Sequence, residues 1–453
     1  MAEDGKPRHR VVIVGGGFGG MLAARGLRKS ACDITLIDRR NFHLFQPLLY
    51  QVATGALSPA NIAAPLRSIV RRQANTRVIL GEVTGFDLTA KTVERRGGEP
   101  IPFDTLILAT GATHTYFGHD EWASLAPGLK TIEDATEIRR RVLSAFERAE
   151  QETDPAIRTR LLTFVIVGGG PTGVEMAGAI RELAAQTMRY DFRVIDPCMA
   201  RIVIVEGQGR VLGGFHESLS RKAQRSLDKL GIELHLNSHV TAITADHVEY
   251  KPDGGTSPPI TIPTETVVWA AGVKGSVLGK MIAQAAGGVE VDKAGRVAVK
   301  PNCTIGTRSD VFVIGDLACY KTPEGKMLPG VAPVAMQQGQ YVARVVAARV
   351  AGDTTDLGPF KYWDKGSMAT IGRAKAVAET GGIRISGLLA WLAWLFIHIL
   401  YLAQFENRVL VLWQWMFNYV TRNRAARLIT GEMAFRPNDP NRGLPPGATV
   451  VKA

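Results

Sequence analysis

Three features of the sequence predict an α/β fold with two Rossmann-like dinucleotide-binding domains and a C-terminal amphipathic helical region. Two stretches, VVIVGGGFGG at 11–20 and LTFVIVGGGPTG at 162–173, run an apolar strand into glycines spaced G-x-G-x-x-G. Each is followed by a helix-compatible stretch and then by an apolar strand closed by an acid, ITLID at 34–38 and RIVIVE at 201–206. The last fifth of the 453-residue chain changes character, with two uncharged apolar runs rich in Trp.

In the first unit, 11–14 read as a buried strand and 21–27 as the following helix. Gly15 allows the tight turn, Gly17 lets a pyrophosphate approach the backbone, and Gly20 lets helix and strand pack closely. The helix N-terminus then offers unpaired N–H groups and a positive dipole end to the phosphates. Asp38 ends the second strand, where its carboxylate can accept both hydroxyls of an adenosine ribose. Residues 41–58, NFHLFQPLLYQVATGALS, are rich in aromatics and leucine. They read either as core packing or as the lining of a flavin or its substrate. Residues 77–86 and 93–96 are expected as strands of a small β-meander. TLILATG at 105–111 is another buried strand, and its end, with Thr110 and Gly111, lets the backbone approach a bound dinucleotide. The charged stretch 132–153 is expected as a helix bridging two domains.

The second unit repeats the first. Gly168, Gly170 and Gly173 hold the same spacing, and Glu206 is the acid, delayed by an insertion at 190–200. TETVVWAAG at 264–272 echoes TLILATG, with Gly272 in the place of Gly111. An internal repeat of this kind implies two dinucleotides bound at once. In TIGTRSDVFVIGD, 304–316, Asp316 ends a strand near a helix start, where it can bind a ribityl hydroxyl. Residues 331–343 read as a helix carrying Gln337, Gln338 and Gln340. Those amides are either hydrogen-bond partners for a quinone carbonyl or a solvated face.

The apolar runs are GLLAWLAWLFIHILYLAQF, 387–405, and VLVLWQWMFNYV, 409–420. They hold four of the seven Trp and are followed by Arg422, Arg424 and Arg427. Trp with flanking Arg suits a membrane interface. Trp391, Trp394, His398 and Tyr401 share one helical face. Two helices lying flat in one leaflet are expected; a membrane span and a buried core or homodimer interface are the alternatives. The net charge is +12, and from 361 onward twelve Lys/Arg stand against five Asp/Glu. A charge excess concentrated there points to an anionic lipid surface and not to nucleic acid. Cys32, Cys198, Cys303 and Cys319 are too scattered for a redox dithiol, an iron–sulfur site or a clustered zinc site, and free thiols suit a reducing compartment. No metal site is expected. The first residues, MAEDGKPRHR, do not read as a secretory signal.

These motifs resemble the flavoproteins with two dinucleotide-binding domains. Within them QPLLYQVATG (46–55), GPTGVEMAG (170–178), LPGVAPVAMQ (328–337) and DKGSMATIGR (364–373) resemble type II NADH:quinone oxidoreductases. The resemblance runs from Val11 to about Arg427. It implies FAD in the first unit and NADH in the second, with a membrane quinone as acceptor and no proton pumping. It implies an FAD domain of 1–125 and 294–365, an NADH domain of 126–293 and a membrane-anchoring region of 366–453. It implies that Glu175 faces the junction of nicotinamide and flavin, and that the protein is peripheral on the cytoplasmic face of a bacterial membrane. The family's quinone motif, A-Q-x-A-x-Q, is matched at Ala332, Ala335 and Gln337, but Pro333 replaces its first Gln. Sulfide:quinone oxidoreductases share this pattern, as do other nucleotide-dependent flavoprotein reductases. A flavin redox sensor without turnover is the non-enzyme alternative.

Overall fold

The computed structural model describes residues 7–430. It divides into two compact units. The first comprises the described residues up to Phe45, with Ala63–Thr115 and Val273–Lys365. Its sheet has six strands in the order Thr304–Ile305, Arg308–Val313, Thr105–Leu108, His9–Val14, Cys32–Asp38, Thr76–Leu80. All neighbours are parallel except the short hairpin at one edge. His9–Val14 is central because Val11, Val12, Ile13 and Val14 bury on both faces, as a parallel strand covered on two sides must. The helix Phe18–Gly26 begins directly after Gly17, three residues earlier than the periodicity predicts. It crosses the helix Ala332–Val350 at Gly19 and Gly339, where a side chain on Gly339 would collide with the Gly19 carbonyl.

The second unit comprises Gln46–Ile62, Tyr116–Gly272 and the described residues from Gly366 on. Its parallel sheet runs Ile232–His235, Arg201–Val205, Thr163–Val167, Thr266–Trp269. The helix Pro171–Glu182 follows the second glycine loop and continues into a π-helical turn, Leu183–Thr187. The strand Ser367–Gly372 lies so close to it that a side chain on Gly178 would collide with the Ile371 carbonyl. Two further antiparallel strands follow, then the helices Leu388–Tyr401 and Phe405–Thr421.

Four sequence expectations shift. Residues 366–430 cluster with the second unit, because Gly178 admits the strand Ser367–Gly372 directly onto the second glycine helix, and the rest of the expected 366–453 region lies outside the described residues. Residues 273–293 belong to the first unit, since Ile282 and Ala283 complete its core with Val83, Val93 and Ile101. The stretch 77–86 is broken: Thr76–Leu80 joins the parallel sheet beside Cys32–Asp38, and only Val83–Asp87 enters the meander. The helix Ile132–Gln151 is not a bridge but a wall of the second unit. A capping box of Thr131 and Asp134 starts it, and Ile138, Val142, Leu143 and Phe146 bury one face.

Candidate functional site

The two glycine loops are built alike. Gly15 has φ +106° and Gly168 φ +109°, left-handed values that disfavour any side chain. A Cβ on Gly15 would collide with the Ala109 carbonyl, and one on Gly20 with the carbonyl of Gly15. Gly173 stands in the same relation to Gly168. By contrast, Gly17 and Gly170 face open space, with nothing within 4 Å of an added Cβ. Each caps its helix without a side-chain hydrogen bond, so the first N–H groups are left for an anion.

The acids do more than wait for a ribose. Asp38 accepts from the Gly16 N–H at 2.6 Å with one oxygen and from the Arg40 N–H at 2.7 Å with the other. Glu206 accepts from the Gly169 N–H and, at 2.7 Å, from that of Gln208. Each carboxylate therefore pins its own glycine loop, and each oxygen keeps a second lone pair for a hydroxyl.

Around the first loop two buried polar atoms have no partner among the described residues, Thr110 Oγ1 and Gln338 Nε2. Gln338 is fully buried, and its other amide atom, Oε1, accepts from the Gly315 N–H at 2.7 Å. Gly315, at φ +71°, turns the chain into half-buried Asp316, which has no hydrogen-bond or ion-pair partner among the described residues. Gly111, at φ +65°, faces open space beside Thr110. Unpartnered buried donors and acceptors are costly, so a polar ligand there relieves a standing penalty. In the second unit Gly272 turns at φ +74° after the strand Thr266–Trp269.

Gln337 is already committed. Its amide donates to the Trp363 carbonyl at 2.9 Å and accepts from the Trp363 N–H at 3.0 Å, clipping that loop to the helix. Ala335 is buried, with its methyl close to Gly315. Gln337 keeps its second N–H and the second lone pair of its oxygen for a further partner.

The second unit holds a half-open cavity of about 130 Å³ beside the C-terminal helices. Glu175, on the first turns of the Pro171–Glu182 helix, lines it and accepts from the Thr370 N–H at 3.3 Å. Burial pushes its carboxyl up to about 8. Tyr50 lies 3.1 Å from the Thr370 hydroxyl and accepts from Gln51 Nε2 at 3.1 Å. Trp415 then donates its indole N–H to Gln51 Oε1 at 2.7 Å, fixing which way that amide faces. Trp394 is 2% exposed, tilted against Trp415 at 5.5 Å, and stacked by His398 at 4.0 Å. Burial lowers His398 to about 4, which keeps the ring neutral at pH 7. So Trp394 and Trp415 turn inward, and of the four C-terminal Trp only Trp413 is prominently exposed, at 62%. Tyr50, Gln51 and Trp415 were not separable from core packing by sequence, because they occupy apolar surroundings and carry no spacing signature.

Three comparisons bear on this arrangement. Residues 9–339 match the family model for pyridine nucleotide-disulphide oxidoreductases, and 364–423 match that for the NDH2 C-terminal domain. The chain is 48% identical to the type II NADH:quinone oxidoreductase NdhA of Mycobacterium tuberculosis, across 94% of this chain and 91% of that one. It is 45% identical to a second type II NADH:quinone oxidoreductase of that organism, Ndh, across 94% and 92%. In fold it resembles NDH2 from Plasmodium falciparum in complex with NADH, with a TM-score of 0.84 at 18% identity, covering 94% of this chain and all of that one. It resembles the sulfide:quinone oxidoreductase of Aquifex aeolicus less closely, with a TM-score of 0.70 at 20% identity over 88% and 91%. With the glycine loops, their paired acids and this degree of identity along nearly the whole length, the chain belongs to the type II NADH:quinone oxidoreductases.

Proposed function

We infer that this protein catalyses NADH + H⁺ + quinone → NAD⁺ + quinol at a membrane surface. The observation that carries the reading is the repeated device in which one acid pins one glycine loop, Asp38 on Gly16 and Glu206 on Gly169. FAD, when bound, supplies the hydride acceptor and relays two electrons to the quinone. The first fingerprint would hold it, with Gly15, Gly17 and Gly20 at its pyrophosphate, Asp38 at its ribose, and Asp316, Thr110, Gly111 and Gln338 along the rest of its length. The second would hold NADH through Gly168, Gly170, Gly173, Glu206 and Gly272. Glu175 would orient the nicotinamide carboxamide. Tyr50, Gln51 and Glu175 supply hydrogen-bonding groups for a quinone head group in the cavity. Gln337 holds the loop at Trp363 and keeps an N–H and a lone pair for a quinone, and Ala335 packs against the turn at Gly315.

No helix among the described residues is long and apolar enough to cross a membrane. Leu388–Tyr401 and Phe405–Thr421, at 14 and 17 residues, reach about 21 and 26 Å against a hydrocarbon core of about 30 Å. Exposed Leu389, Phe396, Trp413, Phe417 and Val420 give them an apolar outer face. The protein would lie as a peripheral enzyme on the cytoplasmic face of a bacterial membrane, with exposed Arg422 toward anionic lipid. The reaction would then move no charge across that membrane.

The test is the absorbance spectrum of purified protein followed by anaerobic NADH titration. A flavin spectrum that bleaches with NADH and returns with a quinone analogue is expected. Protein without flavin would overturn the reading, and bleaching without multiple turnovers would favour the sensor.

Nucleotide choice follows from Glu206. Its carboxylate would face the 2′-phosphate of a bound NADPH, and Gly207 and Gln208 beyond it bring no cation. NADH should be preferred over NADPH in kcat/KM, and Glu206→Gln should narrow the gap by about tenfold, a repulsion on the order of 1.4 kcal/mol. Equal kcat/KM for both nucleotides in the wild type would refute the assignment.

A further inference from the structure

We propose that Arg424 is a positioning residue for quinone reduction, clamping together the two helical turns that carry Tyr50 and Glu175. Arg424 follows the C-terminal helices and is only 8% exposed. Its Nη1 donates to the Thr54 carbonyl at 3.3 Å and to the Ala179 carbonyl at 3.1 Å. Its Nη2 donates to Glu182 Oε2 at 3.0 Å.

The two carbonyls have a particular place in the chain. Thr54 lies four residues after Tyr50 and donates its own hydroxyl to the Tyr50 carbonyl at 2.9 Å. Ala179 lies four residues after Glu175 on the same helix. Each is thus one turn behind a polar side chain lining the cavity. One guanidinium holding both carbonyls sets the separation of the two turns, and so of the phenol and the carboxyl. The Leu49–Ala53 helix ends at Thr54, where carbonyls lack intrahelical partners. Ala179 lies in the last turn before the π turn, and its carbonyl, already accepting from the Leu183 N–H, gives Arg424 its second lone pair.

Glu182 completes the clamp. One of its oxygens takes Arg424, and the other accepts from the Arg373 N–H at the end of the strand Ser367–Gly372. The buried cation is therefore charge-compensated. Three acceptors in different directions need a planar fork of donors, which a lysine ammonium does not provide. Because Arg424 enters from the residues just past Phe405–Thr421, the membrane-facing helices and the cavity wall are mechanically one piece.

This rests on the reading of the cavity as the quinone site, and the test separates the two. Arg424→Lys and Glu182→Gln are assayed beside the wild type with a soluble quinone analogue and, in the same preparations, with ferricyanide. Arg424→Lys should raise the quinone KM about tenfold, as expected for displaced binding groups, while the KM for ferricyanide stays within about twofold; any fall in turnover through Glu175 and the nicotinamide is common to both acceptors. Glu182→Gln keeps both carbonyl bonds and should raise the quinone KM less than about threefold. A quinone KM within twofold of wild type in Arg424→Lys overturns the proposal, as does a ferricyanide KM raised by the same factor as the quinone KM. If Arg424→Lys fails to retain flavin, Glu182→Gln carries the test, and a tenfold rise there overturns the clamp in favour of a simple ion pair. Wild-type protein that reduces ferricyanide but no quinone refutes the functional reading itself.

Discussion

Replacing Glu175 with glutamine should raise the melting temperature at pH 9 and leave it nearly unchanged at pH 5. The sign follows from burial. The folded-state carboxyl is pushed up to about 8, against an ordinary value of 4.5. Below 4.5 both folded and unfolded chains hold the proton, and the site costs nothing. Between 4.5 and 8 the unfolded chain releases its proton while the folded chain retains it, so folding loses stability as pH rises. Above 8 the cost is at its full value, about 5 kcal/mol at most. Glutamine keeps the shape and can still accept from the Thr370 N–H, but it does not ionise. Melts of both proteins at pH 5, 7 and 9 check this, and parallel curves would refute it. Glu175→Ala tests the catalytic side. It should slow the bleaching of the bound flavin by NADH at least about tenfold, because the nicotinamide is no longer oriented. Flavin content should be retained, since the residues assigned to it lie elsewhere in the chain. An unchanged bleaching rate would leave Glu175 with a structural role alone.

What was legible in the sequence was local. A strand of consecutive β-branched residues, glycines at fixed offsets and an acid at the next strand end all act over a few tens of residues. Their geometry is set by backbone sterics that hold in any fold. Glu206 could be read through its insertion for that reason. The cavity was not legible, because its wall comes from four distant stretches of chain, the strand at Thr370 among them. Tyr50 and Gln51, Glu175 and Glu182, and Trp394, Trp415 and Arg424 meet only after folding. The apolar run 387–405 looks the same whether its Trp side chains face lipid or protein. Trp394 turns inward because Tyr50 and Trp415 are there to receive it. Arg424 shows the same limit. In TRNRAAR nothing separates it from Arg422 or Arg427, yet it alone of the three is nearly excluded from solvent. Gln337 shows what a motif leaves out: its amide also clips the backbone of Trp363, 26 residues on, which no local spacing announces.

Exchanging Phe396, Trp413 and Phe417 together for serine should release the protein from membranes without disturbing its body. Deleting the C-terminal helices is a poorer test, since it would also strip Trp394, Trp415 and Arg424 from the cavity wall. The three chosen side chains are 66%, 62% and 55% exposed, so they contribute little to packing. On a bilayer each would transfer most of its apolar area out of water, for about 1 kcal/mol apiece or somewhat more. The triple variant then loses about 3 kcal/mol, a fall of roughly 10²-fold in partitioning to vesicles. The remaining attraction comes from the basic residues near the surface, at about 1 kcal/mol each, and is screened by salt. Binding of the triple variant should therefore depend steeply on ionic strength and on anionic lipid, whereas wild-type binding survives high salt. Oxidation of NADH by ferricyanide should persist, and oxidation by a long-chain quinone held in the vesicle should fall with the loss of binding. Vesicle co-sedimentation over a salt series reads the first effect, and paired assays on the same vesicles read the second. A triple variant that sediments like the wild type at high salt would mean that this face does not meet the lipid.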